Sequence, residues 1–292
     1  VNDNHPKLGN LLETALRCHH SGNLSGAWQY YDEVLGLDSS NIHALTGLGT
    51  IALQQDKLQL GLKLLKKSLE LDSTQSNAWS NHALALSKIH RHKEAIQDYD
   101  KAIVLNQNFA NAWNNRGLSL QHLGLFKEAL ESFDRAILIN PQYAEAYANR
   151  AATLKTLGFL RKAVKNYDKA ISLKPNNALT HFNKAVLLQE LQKFEEALTA
   201  YNTSISLNSN FSEAYNNLGI LLKLLDRPED AIANLMKATL INPKNTLALA
   251  NLGSIFQNLN RLDDALVSYN KAIEINPAYA DAYVTKAEVL LS

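Results

Sequence analysis

A period of 34 residues dominates this chain. Residues 110–143, slid by that length in either direction, fall onto themselves repeatedly with no insertion or deletion. A fixed period in this range specifies stacked repeats, each burying its apolar face against the next. Eight full repeats start at Leu8, Ile42, Ser76, Ala110, Ala144, Ala178, Ser212 and Thr246, and a ninth runs from Ala280 to Ser292.

The repeat carries its own local code. Position eight is small throughout, as in Ala83, Gly117, Ala151 and Gly253. Position twenty is also small, from Ala27 and Gly61 to Ala265. Position twenty-four is large: Tyr31, Leu65, Tyr99, Phe133, Tyr167, Tyr201, Leu235 and Tyr269. Position four is large as well, most clearly at Trp79, Trp113, Tyr147, Tyr215 and Tyr283. Small residues let helix backbones approach, and large ones fill the space beside them. Spacings of three, four and seven are helical. Each repeat therefore reads as two short amphipathic helices joined by a tight turn.

This pattern, with Pro141, Pro175, Pro243 and Pro277 at position thirty-two, resembles the tetratricopeptide repeat over residues 8–292. The proline is the weakest element, replaced by Ser39, Ser73, Gln107 and Ser209 in other repeats. The resemblance implies an all-α, right-handed superhelical solenoid of eight complete helix–turn–helix repeats plus the first helix of a ninth. It would make about one superhelical turn. Residues 1–7 read as a lead-in to a single array. The chain does not begin with Met, which is expected of a piece of something longer or a processed product.

Composition excludes several classes. The formal net charge is +1, with none of the basic excess of a nucleic-acid footprint. No apolar run approaches the roughly 18 residues of a membrane span, and no signal-peptide pattern opens the chain. The single cysteine, Cys18, cannot form an internal disulfide and fits a reducing, cytoplasmic setting. Sequons begin at Asn23, Asn202 and Asn210, the second inside an expected helix, and are read as chance.

No catalytic or cofactor motif stands out. Phosphate loop, nucleophile elbow, H-E-x-x-H and paired-cysteine spacing are all absent. The run Cys18-His19-His20 invites a metal, but consecutive helix residues point apart, and Cys18 holds a core position. The chain is expected to need no cofactor or metal and to be a binding protein, not an enzyme.

One polar row is harder to assign to packing. Position six is Asn81, Asn115, Asn149, Asn183, Asn217 and Asn251 in six successive repeats. By resemblance, the first-helix face holding positions two, five, six, nine and thirteen lines the concave side of the superhelix. A carboxamide offers a donor and an acceptor, matching a peptide backbone. Packed helices lie about 8–10 Å apart and an extended chain advances about 3.3 Å per residue. One asparagine per repeat would meet about every third residue of a guest. The same amides can instead tie helix to helix, and both uses stay open at this stage. Flanking positions Asn77, Asn111 and Asn114, with Ser80 and Gln121, form an expected polar floor. Leu179, Phe182 and Val186 form an apolar spot in the sixth repeat, where Phe182 either lines a pocket or packs back onto a neighbouring helix.

The expected partner is a protein or peptide segment in this groove, without nucleic acid or membrane. The carboxylate clamp of chaperone-binding family members is absent, because position nine has no Asn and position five has no Lys. The long row of position-six asparagines resembles the repeat arm of O-linked N-acetylglucosamine transferases. That resemblance would make the chain a substrate-recruiting arm of a larger glycosyltransferase. In the ninth repeat Tyr283, Ala287 and Leu290 are expected to point inward with no second helix to cover them. That end is either an artificial boundary or a self-association surface.

Overall fold

A computed structural model describes residues 4–291, and its regular elements among those residues are all helices. They divide into two compact units, one ending at Leu157 and the other starting at Gly158, a boundary inside the fifth repeat. The N-terminal unit holds α1 (Asn4–His20), α2 (Leu24–Leu37), α3 (Ile42–Gln54), α4 (Leu58–Leu71), α5 (Ser76–Lys88), α6 (His92–Leu105), α7 (Ala110–His122), α8 (Phe126–Ile139) and α9 (Ala144–Thr156). The C-terminal unit holds α10 (Leu160–Leu173), α11 (Ala178–Glu190), α12 (Phe194–Leu207), α13 (Ser212–Leu224), α14 (Pro228–Ile241), α15 (Thr246–Asn258), α16 (Leu262–Ile275) and α17 (Ala280–Leu291). α1 starts inside residues 1–7, so the last part of the expected lead-in is helical. None of the described helices is long and apolar enough to cross a membrane.

Turn chemistry sets the helix pairs. Position fifteen is left-handed in every full repeat: Gly22, Gly124 and Gly158 hold it without a side chain, with φ between 74° and 79°. Asp56, His90, Gln192, Asp226 and Asn260 hold it with one, at φ between 55° and 62°. The following amide then reaches back to close the helix, as in Arg91 N–H to Leu86 O at 2.9 Å and Lys193 N–H to Leu188 O at 2.9 Å, the Schellman arrangement. Side-chain caps open several first helices. Asn41 Oδ1 accepts from Ala44 N and Asn177 Oδ1 from Thr180 N, each at 3.1 Å. Pro228 opens α14, where its missing N–H costs nothing.

The core follows the small–large code. Tyr31, Tyr99, Phe133, Tyr167, Tyr201 and Tyr269 are buried side chains at position twenty-four. A methyl added to Gly117 would stand 2.6 Å from the Phe133 ring, which is how closely the ring lies against the preceding helix. Burying such a ring stabilises by roughly 2–3 kcal/mol.

Within each unit every second helix packs on the first helix that follows it. Consecutive first helices within a unit also touch, as α3 with α5 and α13 with α15, whereas among the described residues no two consecutive second helices of one unit do. Each unit therefore curves with its first helices on the inside. α17 differs from the expectation for the ninth repeat. Tyr283 and Ala287 face solvent, while Ala282 and Val289 are the buried residues. Positions four and eight pack on the second helix of their own repeat, and only the first helix of the ninth repeat lies among the described residues. The Leu290 side chain lies outside the described residues.

Candidate peptide-binding surface

The position-six asparagines lie on first helices, the inner side of each unit, and all six are half-buried. They are not six independent amides. In the N-terminal unit Asn149 Nδ2 donates to Asn114 Oδ1 at 2.9 Å, and Asn114 Nδ2 donates to Asn115 Oδ1 at 3.1 Å. In the C-terminal unit Asn251 Nδ2 donates to Asn216 Oδ1 at 3.1 Å, and Asn216 Nδ2 to Asn217 Oδ1 at 3.0 Å. The same relay is thus built twice, each crossing one repeat junction. Asn81 Nδ2 donates to Thr50 Oγ1 of the previous repeat at 2.9 Å. Asn183 makes no hydrogen bond among the described residues.

Each relay ends against a buried phenol, Asn115 beside Tyr99 and Asn217 beside Tyr201. Burial raises both phenols, Tyr201 to about 12, against smaller pulls from Ser87 and then Asn115 on Tyr99 and from Asn217 on Tyr201. At the other end, the Oδ1 atoms of Asn149 and Asn251 accept no bond among the described residues. One amide half holds the scaffold together and the other half is uncommitted.

The polar floor is shallower than its sequence implies. Asn77 and Asn111 are exposed, but Asn114 is 3% exposed and Ser80 is buried too. Position five turns toward the repeat junction, so Asn114 joins amides instead of facing a guest. The signal was readable: the dipeptides at 114–115 and 216–217 are each followed by another Asn one period later.

Phe182 packs back onto its neighbours. Its ring lies 4.8 Å from the ring of Phe211 and 6.0 Å from that of Tyr201, centroid to centroid. Leu179 stays exposed. Val186 instead lines a 450 Å³ concavity with Phe194, Tyr201, Asn217, Ile220 and Leu224. A 570 Å³ concavity in the N-terminal unit includes Thr46, Thr50, Gln75, Asn77 and Asn81.

A larger cavity, 680 Å³, lies away from the asparagine row between α4, α5 and α6. Its polar centre is internally satisfied: the nearly buried Asp98 accepts from His82 Nδ1 at 2.7 Å and from Lys101 Nζ at 2.9 Å. Burial alone would raise the Asp98 carboxyl, but these two donors outweigh it and hold the group below its ordinary value. Lys101 also sits 3.8 Å over the Trp79 ring. Arg116–Asp100, Arg150–Asp134 and Lys184–Asp168 form a further series at 2.6–2.7 Å, joining position seven of one repeat to position twenty-five of the one before. The sequence reading missed this series, although the alternating charges recur at fixed positions.

Models described as tetratricopeptide repeat match residues 110–143, 144–177, 166–199, 212–245 and 246–279. A model described as TPR repeat matches 91–124 and 187–226, so that together the matches run unbroken from 91 to 279. Among solved structures, YrrB, described as a TPR protein with an unusual peptide-binding site, is 24% identical with a TM-score of 0.52. That match covers 63% of this chain and 95% of YrrB. MamA is 27% identical with a TM-score of 0.50, covering 55% of this chain and 94% of its own. The pilF protein of Pseudomonas aeruginosa is 20% identical with a TM-score of 0.64, covering 73% and 96%. No curated protein matches the chain closely enough to count as a relative.

Proposed function

Because the chain belongs to the tetratricopeptide-repeat family, we propose that it is a protein-interaction module whose inner faces hold an extended polypeptide segment. The observation that carries this reading is the uncommitted half of the position-six amides. The Oδ1 atoms of Asn149 and Asn251 and the whole carboxamide of Asn183 belong to half-buried residues and have no hydrogen-bond partner among the described residues. These groups remain open to solvent, and a guest backbone offers the donors and acceptors that a carboxamide matches. The relays hold the remaining amides in fixed orientation, so little ordering is left for binding to impose.

Recognition of this kind reads main chain along the row and leaves selectivity to adjoining concavities, such as those lined by Val186 and by Asn77. YrrB, of the same fold, is a protein with a peptide-binding site. The arm of a glycosyltransferase is the alternative use of the same row, and the parent reading frame separates the two. The direct test is an unbiased pull-down comparing the intact chain with the Asn149→Ala, Asn183→Ala, Asn217→Ala triple variant, helicity being checked in parallel. Loss of most captured proteins from a folded variant supports the reading. An unchanged set of partners rejects it.

A further inference from the structure

The second helix of the fifth repeat departs from the others in charge. Positions eighteen, nineteen, twenty-two and twenty-six of α10 are Arg161, Lys162, Lys165 and Lys169, all exposed. No other repeat places more than two cations at these positions. At about 100° per residue they fall within one sector of about 100°, a ridge about 12 Å long on the outer side of the C-terminal unit. Asp168 is the one carboxylate of α10, and Lys184 of α11 takes it at 2.7 Å. The four ridge cations form no ion pair among the described residues.

The start of the ridge departs too. In four repeats a cation at position sixteen pairs with an acid at nineteen: Arg91 with Glu94, Lys193 with Glu196, Arg227 with Asp230 and Arg261 with Asp264. Here the two positions hold Phe159 and Lys162. The Phe159 ring is 50% exposed, with Lys162 Nζ 5.3 Å from its centre. Helix stability does not ask for this pattern. Cations four residues apart, as Arg161, Lys165 and Lys169 are, repel one another along a helix, and a first turn favours acids. The first turns of α12, α14 and α16 hold such acids and that of α10 holds none.

We propose that the α10 ridge docks an acidic polypeptide segment on the outer side, independently of any segment held along the inner face. Arg161, Lys165 and Lys169 follow one another at about 6 Å along the helix axis. Alternate residues of an extended chain advance by about 6.6 Å. Glu or Asp at every second residue of a guest therefore meets them in register, and Phe159 offers an apolar contact for a large side chain at one end. Width selects the class of partner. The next second helices of the unit carry Glu195-Glu196, Glu229-Asp230 and Asp263-Asp264 at positions eighteen and nineteen. A membrane or a nucleic-acid duplex extends past one helix and meets those carboxylates, whereas a single acidic strand lies along α10 alone.

Fluorescence anisotropy of two labelled peptides on the full chain tests it. One begins with phenylalanine and continues as glutamate alternating with serine, and the other has glutamine in place of every glutamate. The acidic peptide should bind, more weakly as salt is raised, and the glutamine peptide about tenfold more weakly still. Joint Arg161→Gln, Lys165→Gln and Lys169→Gln should cost the acidic peptide about tenfold, and Phe159→Ala about threefold. All four side chains are exposed, so these variants should melt as the parent does. Joint Lys63→Gln, Lys66→Gln and Lys67→Gln removes the same charge from exposed positions of α4 and should change affinity by less than about twofold. No binding of the acidic peptide, equal binding of both peptides, or equal losses in the two triple variants overturns the proposal. Ridge-dependent binding of phosphatidylserine vesicles or of oligothymidylate, tighter than that of the acidic peptide, overturns it in favour of lipid or nucleic acid. Acidic-peptide binding retained in the Asn149→Ala, Asn183→Ala, Asn217→Ala variant supports a surface separate from the groove, and its loss there overturns that surface.

Discussion

Asn149 donates to Asn114 across the junction between the fifth and fourth repeats, Nδ2 to Oδ1 at 2.9 Å. The pair Asn251 and Asn216 repeats that bond in the C-terminal unit. A residue row that looks like a ligand surface is therefore also a seam between repeats. Chains of amides polarise one another, so removing a middle member costs more than an end member.

Asn114→Ala is expected to lower stability by about 1–3 kcal/mol, because it leaves the amides of Asn149 and Asn115 without their partners. Asn77→Ala, at an exposed position, should change little. Urea midpoints of Asn114→Ala, Asn149→Ala and the double variant form a cycle, with a coupling of about 0.5–1.5 kcal/mol expected. Strict additivity would show that the relay contributes nothing.

Phe133→Ala empties a fully buried ring site and should cost about 3–5 kcal/mol. Gly117→Ala pushes a methyl to 2.6 Å from the same ring and should cost about 1–3 kcal/mol, as overpacking does. Combining Gly117→Ala with Phe133→Leu, the small–large pair relaxed on both sides, should recover part of the loss in thermal melts.

Gln192 adopts φ 58° at a turn where other repeats place glycine. Left-handed backbone costs a residue with a side chain about 1–2 kcal/mol. Gln192→Gly should therefore stabilise, by up to about 1 kcal/mol after the added freedom of the unfolded chain is deducted. A lowered urea midpoint would refute this.

Burial, followed by repulsion from His122 and His90, lowers the His92 pKa below its ordinary value. Above about pH 6.5, the value in the unfolded chain, the group is neutral in both states and contributes no pH dependence. As pH falls below that, the unfolded chain takes up the proton first and stability declines. The decline ends once the folded-state pKa is passed. Denaturant midpoints measured from pH 7.5 downward should show this loss, and His92→Gln should reduce it. An identical pH profile in the variant would assign the loss elsewhere.

Much of the fold was legible because its determinants are local and periodic. Gly117 against Phe133 or Ala83 against Tyr99 recurs at fixed spacing, and repetition separates that signal from chance. The candidate site was less legible, since its character depends on which way a side chain turns at a junction. Position five and position six are both asparagine at 114–115, yet the first accepts from the neighbouring repeat and the second from its own helix. The placing of Phe182 turns for the same reason on Phe211, a residue 29 positions away in sequence whose ring it meets.

First helices abut along the inner edge of each unit while second helices stand apart. Straightening such a stack breaks only the few inner touch points and leaves the helix pairs and their junctions intact. Each unit is therefore expected to yield more readily to straightening than to further closure, where the first helices already touch.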